Sequence, residues 1–287
     1  MNADGGRLSI GQCATLACLL EATAPKVGNV HRGADFEDLT FPDFAVSAVA
    51  IGPIIETAAG VGVGRTVLDA VAATRRLVPT NTNLGMLLLL APLAAVPRET
   101  PLDTASVGRV LAALGPEDAR DVYAAIRLAQ PGGLGQVEAM DVAGPAPTSL
   151  LEAMAAAADR DLVARQYVEH FALVLEEVLP RLEAGQRRGW PLTEAIVYAH
   201  VGLIARHGDS LMARKGGRQL AERAAAMAGK VLEAGEPPDE AYHTALADLD
   251  FWLRSDGHRR NPGTTADLIA AALFAGLRDN RLTPPYR

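Results

Sequence analysis

Asn261-Pro262-Gly263-Thr264-Thr265-Ala266-Asp267-Leu268-Ile269-Ala270-Ala271-Ala272-Leu273-Phe274-Ala275-Gly276-Leu277 opens with the residues of a helix start and then keeps a helical period to its end. Asparagine is a strong cap, and a proline at the first helical position lacks only an N–H that would be unbonded there anyway. Ala266, Ile269, Ala270, Leu273 and Leu277 follow at i, i+3, i+4, i+7 and i+11, a single apolar stripe. This stretch reads as a buried helix rich in small side chains, which let neighbouring helix axes approach closely.

Working outward, nearly every other segment carries the same signature. Ser9 and Gln12 form a capping-box pair ahead of Ala14, Ala17, Cys18 and Leu20. Thr40 with Asp43 caps a helix over 44–59, and Pro42 sits harmlessly in its first turn. Glycines at 60, 62 and 64 punctuate the chain before a helix over 65–78, and Asn83 caps the next at 84–95. Segments 104–114 and 117–130 make a helical hairpin about Gly115-Pro116, and further helices fall at 153–179, 193–206, 217–234 and 240–253. Sustained two-residue alternation and internal repeats are missing from the sequence, and its Asp-Gly pairs, at 4–5 and 256–257, do not sit between alternating apolar runs as a hairpin turn would. The expected fold is all-α, one compact multi-helix domain over residues 1–287.

Two connections break the helical pattern, 26–39 and 131–149. Irregular stretches of this length are uncommon inside compact domains and are usually functional when ordered.

The 27 Lys+Arg against 34 Asp+Glu leave a net charge of −7 and a pI near 5.4. Such a chain lacks the positive field that draws proteins to nucleic acid or anionic lipid. A composition 49% hydrophobic and 21% charged is that of a folded globular protein. Its two cysteines, Cys13 and Cys18, exclude a disulfide framework and a four-cysteine zinc site, and read as small buried hydrophobes on one helix. The N-terminus carries an acid where a signal peptide would be basic, and the longest apolar run, 84–96, is too short to span a bilayer. A soluble, cytoplasmic protein is expected.

Chemistry concentrates at four places. The 26–39 connection packs Lys26, His31 and Arg32 with Asp35, Glu37 and Asp38, and its glycines at 28 and 33 let backbone approach a ligand. Clustered carboxylates of this kind can share a divalent cation or hold their pKa values apart. Asn81-Thr82-Asn83 opens an apolar helix with one amide more than capping needs. Asp209-Ser210 precedes Arg214, Lys215 and Arg218 around a glycine turn. The start of the last helix offers free N–H groups, Gly263, two threonines and two preceding arginines to an anion, and Asp267 is placed to help hold that anion's magnesium. Walker A, HExxH and GxSxG signatures are missing, and the glycines at 60–64 follow a helix where a dinucleotide fingerprint would follow a strand. From the residues alone the chain is an all-α, enzyme-like protein with a polyphosphate and Mg²⁺ site.

At these same residues the sequence resembles the triphosphoribosyl-dephospho-CoA synthase family. The stretches that carry the resemblance run from Glu21 through Pro25, Lys26, Gly28, Asn29, His31 and Arg32, then Asn81-Thr82-Asn83 with Gly85, then Gly132, Gly133 and Gly135 with Asp141, then Asp209-Ser210 and Asn261 to Leu268. Typical members have Pro-Gly-Leu-Val-Asp at 27–31 and Ser-Pro-Gly-Gly-Ser-Ala-Asp at 261–267. The version here is similar to the archaeal and one-carbon-metabolism branch.

The resemblance implies that ATP donates its 5-triphosphoribosyl group to the ribose 2′-OH of 3′-dephospho-CoA or a related acceptor, and that adenine leaves. By analogy with glycoside chemistry, Asp35 or Asp38 would act as base and Glu37 would support a metal. Asp209 and Asp267 would bind Mg²⁺ on the triphosphate, while Lys26, Arg32, Lys215 and the Gly263-Thr264 turn would neutralise phosphate. Asn29, Asn81 and Asn83 would fix ribose or base beside His31, and the glycine loop at 132–135 would exclude water. Implied partners are small nucleotide substrates, with a homodimer as an open assembly state. Two other readings stay open: a kinase or other ATP-using transferase in pterin or furan cofactor assembly, and a non-catalytic nucleotide-binding protein. Every role above requires the acid-rich loop near residue 35 and the tip of the last helix to face one pocket.

Overall fold

The computed structural model describes residues 7–132 and 142–286. In chain order the helices are α1 (Ile10–Thr23), α2 (Phe41–Ile55), α3 (Ala58–Val61), α4 (Val63–Arg75), α5 (Leu84–Ala95), α6 (Thr104–Ala112), α7 (Pro116–Ala129), α8 (Leu150–Ala157) and α9 (Leu162–Val168). A π-helical turn, Leu173–Val178, runs into α10 (Leu179–Arg187). Then come α11 (Leu192–His207), α12 (Ser210–Gly216), α13 (Arg218–Glu233), α14 (Glu240–Arg254) and α15 (Gly263–Arg278). A four-residue extended segment, Ser255–His258, links the last two. The expected all-α class holds, and among the described residues no helix is long and apolar enough to cross a membrane.

Helix α15 is the axis of the fold. The stripe read from its sequence is buried, but so are Leu268, Ala271, Ala272 and Phe274 on its other faces. A helix apolar all round belongs inside a set of other helices. It packs against α1, α5, α10, α11 and α12, and its alanines keep those neighbours close. Helix α5 is almost as enclosed, from Leu84 to Ala94, with Pro92 inside it. At the far end of α15 the fully buried Arg278 donates to the carbonyls of Val96, Pro97 and Thr100 at 3.1, 2.7 and 3.1 Å and pairs with Asp279. One guanidinium thereby closes the bottom of both central helices.

Local signals place most helix starts. Ser9 and Gln12 form the expected reciprocal box, with 2.9 and 3.3 Å contacts. The Asp43 carboxylate accepts from the amide and hydroxyl of Thr40 at 2.9 and 2.7 Å. At the last helix, Pro262 takes the cap position and Gly263 the first turn, one residue later than the sequence suggested. Cys13 and Cys18 are buried and unpaired on α1. The single helix expected over 153–179 is instead three pieces. Asp161 caps α9 by accepting from the amides of Val163 and Ala164 at 2.8 and 3.3 Å, and His170 and Phe171 adopt φ of 49° and 64° before the π-helical turn. An alanine-rich run looks apolar at every period, so periodicity alone passes over such breaks.

Loop 26–39 is ordered into two tight turns, closed by bridges between His31 and Ala34 and between Phe36 and Leu39. It is fastened to α14, where Asp250 Oδ1 accepts from the Gly28 amide at 2.7 Å and Arg254 donates to the Asn29 carbonyl. Residues 133–141 of the second connection, with Gly133, Gly135 and Asp141 among them, lie outside the described residues.

Helices α1 and α2 cross where two glycines meet, and a Cβ on Gly11 would lie 2.3 Å from the Gly52 carbonyl oxygen. Backbone oxygen cannot swing aside, so Gly11→Ala forces the helices apart. Overpacking costs about 1–3 kcal/mol, against about 1 kcal/mol gained in helix propensity. A lower urea midpoint than wild type is the expected outcome.

Candidate active site

A cavity of about 700 Å³ opens beside the first turn of α15. Its walls come from the starts of α5 and α15, the end of α7, helices α8, α9 and α12, and loop 26–39. One half is apolar, with Leu88, Ile126, Met154 and Val163; the other is polar, with Glu21, Asp38, Lys215 and Asp267. Asp38 and the 263–267 turn, distant in sequence, therefore share one cavity.

The floor of the polar half holds an excess of acid. Lys26 is fully buried, with Nζ 2.8 Å from Glu21 Oε1 and a further bond to the Glu21 carbonyl. Glu21 Oε2 has no partner among the described residues, and Asp267 forms no hydrogen bond or ion pair there either. Burial pushes the Glu21 carboxyl up, and Lys26 only partly offsets this. Burial, then the charges of Glu21, Asp209 and Asp161, push Asp267 well above the usual carboxylate range. Lys26 answers one oxygen of Glu21, and no side chain among the described residues answers Asp267, so the floor carries unbalanced acid. Gly85 makes the space: a Cβ there would sit 2.0 Å from Asp267 Oδ2.

Asp209 does a different job. It is buried at the cap of α12, where Oδ1 accepts from the Met212 amide at 2.9 Å. Its Oδ2 accepts from both the amide and the hydroxyl of Thr265, at 2.8 and 3.0 Å. Both oxygens are thus spent in joining α12, which carries Arg214 and Lys215, to α15, which carries Asp267. Asp209, expected to bind magnesium, does not line the cavity, and its tie also engages one amide of the α15 start. His200 completes it: Nε2 lies 3.1 Å from the Thr265 hydroxyl, and burial depresses its pKa to about 3.

The other expected site residues divide sharply. Asn29, Asn81, Asn83, Lys215, Gly263 and Thr264 line the cavity with Asp38 and Asp267. Asn29 donates to Asn261 Oδ1 at 3.2 Å, and its own Oδ1 is unpartnered among the described residues. The two asparagines before α5 exchange roles, for Asn81 accepts from the Leu84 amide at 3.1 Å while Asn83 donates to Thr74 at 3.1 Å. Lys215 donates to the His258 carbonyl at 3.2 Å, and partial burial lowers its pKa. Lys26, read as facing phosphate, is enclosed by its pairing with Glu21. His31, Arg32, Asp35 and Glu37 do not line the cavity. Asp35 accepts from the Phe41 amide at 2.7 Å, serving the start of α2, and His31 Nδ1 accepts from the Gly33 amide at 3.2 Å.

The family stretches included Glu21 and Gly85 without giving them a role, and motif reasoning passed over Arg160, Asp161 and His258; all five line the cavity. A lone acid on the buried face of α1 was the available signal for Glu21. A glycine in the first turn of an apolar helix was the signal for Gly85. Asp161 pairs with Arg214, which tertiary packing alone reveals.

Residues 7–284 match the family model described as CitG: ATP:dephospho-CoA triphosphoribosyl transferase. The chain belongs to this family. Among solved structures it is similar to a triphosphoribosyl-dephospho-CoA synthase candidate from Archaeoglobus fulgidus, with a TM-score of 0.63 and 26% identity over 81% of this chain and 97% of that one. A comparison with curated proteins finds no significant match. The protein is accordingly an ATP-dependent transferase, and ATP is its substrate. Family membership favours triphosphoribosyl transfer over the kinase and non-catalytic readings.

His200 supplies a test of the tie beneath the site. An unfolded histidine takes its proton below a pKa of about 6.5, whereas the buried one holds out to about 3. Its contribution is complete above pH 6.5 and is lost as pH falls toward 3, by about 1.4 kcal/mol per pH unit. Thermal melts across this range should show a shallower acid decline for His200→Gln than for wild type.

Proposed function

We propose that the polar half of the cavity holds the triphosphate and ribose of ATP, and that Asp267 and Glu21 form its metal-facing floor. The observation that carries this reading is that neither the Asp267 carboxylate nor Glu21 Oε2 has a partner among the described residues, in a cavity that also presents Lys215 and Gly263. Among the described residues no three His, Cys, Asp or Glu side chains cluster to hold a metal alone. Mg²⁺ does not require such a cage, since it is commonly held by one or two carboxylates together with substrate phosphates. Asp267 and Glu21 fit that donor set. Bound there, the metal supplies charge neutralisation to the triphosphate, which is transferred whole.

The chain's own groups do the rest. Lys215 and the first-turn amides of Gly263 and Thr264 neutralise phosphate oxygens. Asn29 and Asn81 orient the ribose through neutral amides, which do not compete with positive charge at C1′. As the C1′–N9 bond breaks, its electron pair leaves on adenine and C1′ gains oxocarbenium character, which nearby carboxylates stabilise. The acceptor hydroxyl attacks C1′. Of the three acids in loop 26–39, Asp38 is the one that lines the cavity, and we assign it to the acceptor. The apolar half of the cavity suits the flat base and the uncharged arm of dephospho-CoA, whose transfer out of water is favourable.

The test is incubation with Mg-ATP and 3′-dephospho-CoA, with products separated by chromatography. Adenine and a triphosphoribosylated acceptor are expected; ADP or AMP would overturn the reading. Asp267→Asn should lower kcat by about 100-fold or more while leaving the melting temperature within a few degrees. Chelator should abolish turnover in wild type and added Mg²⁺ restore it.

A further inference from the structure

At the mouth of the cavity, away from the acid floor, sits a titratable group that belongs to no recognised motif. His258 lines the cavity beside Asp38, with Nε2 3.4 Å from Asp38 Oδ1. The ring is held in place from separate parts of the fold. Phe36 stacks on it, with centroids 5.3 Å apart and planes inclined by 25°, and the Arg254 guanidinium lies 5.5 Å from the Phe36 centroid. Lys215 Nζ grips the His258 carbonyl at 3.2 Å. Nδ1 has no hydrogen-bond partner among the described residues.

We infer that Asp38 and His258 form an Asp–His dyad that handles the proton of the transfer, an inference that rests on the triphosphoribosyl-transfer reading above. A carboxylate accepting from Nε2–H fixes the tautomer and leaves Nδ1 as the basic nitrogen. The acceptor 2′-O–H gives its proton to Nδ1 as the oxygen bonds to C1′. The electron pair of the breaking C1′–N9 bond goes to adenine, and the imidazolium then returns the proton to a nitrogen of that leaving group. Neutral adenine departs, the dyad is restored, and no outside acid or base is consumed.

The surroundings fit this use. Asp38 from loop 26–39 is the acid that faces the ring, while Lys215 from α12 and Arg254 from α14 bring positive charge to its backbone and to the Phe36 it stacks on. Within the histidine's own segment Asp256 is turned toward Arg259 and Arg260, at 3.8 and 3.5 Å. A 3.4 Å contact is long for a finished hydrogen bond, but catalytic pairs commonly tighten when substrate binds. Phe36 packs on one face of the ring and Lys215 anchors its backbone, so a small movement of Asp38 would close that gap. A merely structural pair would instead hold the loop shut and act on substrate affinity.

Adenine release by wild type, His258→Gln, Asp38→Asn and the double variant, measured between about pH 5 and pH 9, decides the matter. The expected result for His258→Gln is a fall in kcat of about 100-fold or more, KM values within about 3-fold of wild type, and loss of the acid limb of the pH profile. Asp38→Asn, at an exposed position, should lower kcat by about 10-fold without moving KM. The double variant should be no slower than His258→Gln, because Asp38 works only through the ring. Unchanged kcat in His258→Gln, losses confined to KM, or losses that multiply in the double variant would overturn the dyad. If His258→Gln melts early, the kcat and KM of Asp38→Asn decide alone. Wild-type enzyme that turns over without releasing adenine removes the transfer reading and the dyad with it, which separates the two failures.

Discussion

One buried carboxylate sets the geometry on which the site depends. Asp209 is taken from water and repaid by three hydrogen bonds, one from the start of α12 and two from Thr265 in the first turn of α15. A charge in such a place is costly unless its oxygens are satisfied, and short charge-assisted bonds to backbone amides are the means of satisfying them. The consequence is rigid registry between two helix starts. One presents Arg214 and Lys215 and the other presents Asp267, two residues beyond the threonine that Asp209 holds. His200 behind Thr265 extends the tie into α11, so the cations and the acid of the cavity are set by a single connected network.

Against that satisfied network, the floor of the cavity is deliberately incomplete. Lys26 answers one oxygen of Glu21 and leaves the other bare, and Asp267 faces the same space with no partner among the described residues. An uncompensated buried acid weakens the folded state, so its persistence points to a ligand that completes it. A polyphosphate alone would be repelled, and a cation alone would leave Lys215 and the helix start unused. The magnesium–triphosphate complex we propose would answer both halves of the charge pattern.

Asp209 and Asp267 illustrate why residue type cannot separate scaffold from chemistry. Both are aspartates at helix starts beside glycine, threonine and basic residues, and on paper both are equal candidates for a metal. Hydrogen-bond accounting separates them, because Asp209 accepts three hydrogen bonds and Asp267 accepts none among the described residues. The same accounting assigns Asp35 to the start of α2 and leaves Asp38 at the cavity mouth.

Local chemistry made much of the molecule legible from the chain. Capping pairs at Ser9 and Thr40, proline near helix starts and the apolar period of α15 act within a few residues, so the helices, their order and the all-α class follow from sequence, as does the family through its separated stretches. Breaks at Asp161 and at the left-handed pair His170 and Phe171 did not, because an alanine-rich run carries no period to interrupt. Nor could sequence show that Lys26 turns inward to Glu21, that Gly85 makes room for Asp267, or that His258 meets Asp38. Those facts depend on which helix faces lie within a few ångströms of each other, and such distances exist only once α5, α12 and α15 have packed.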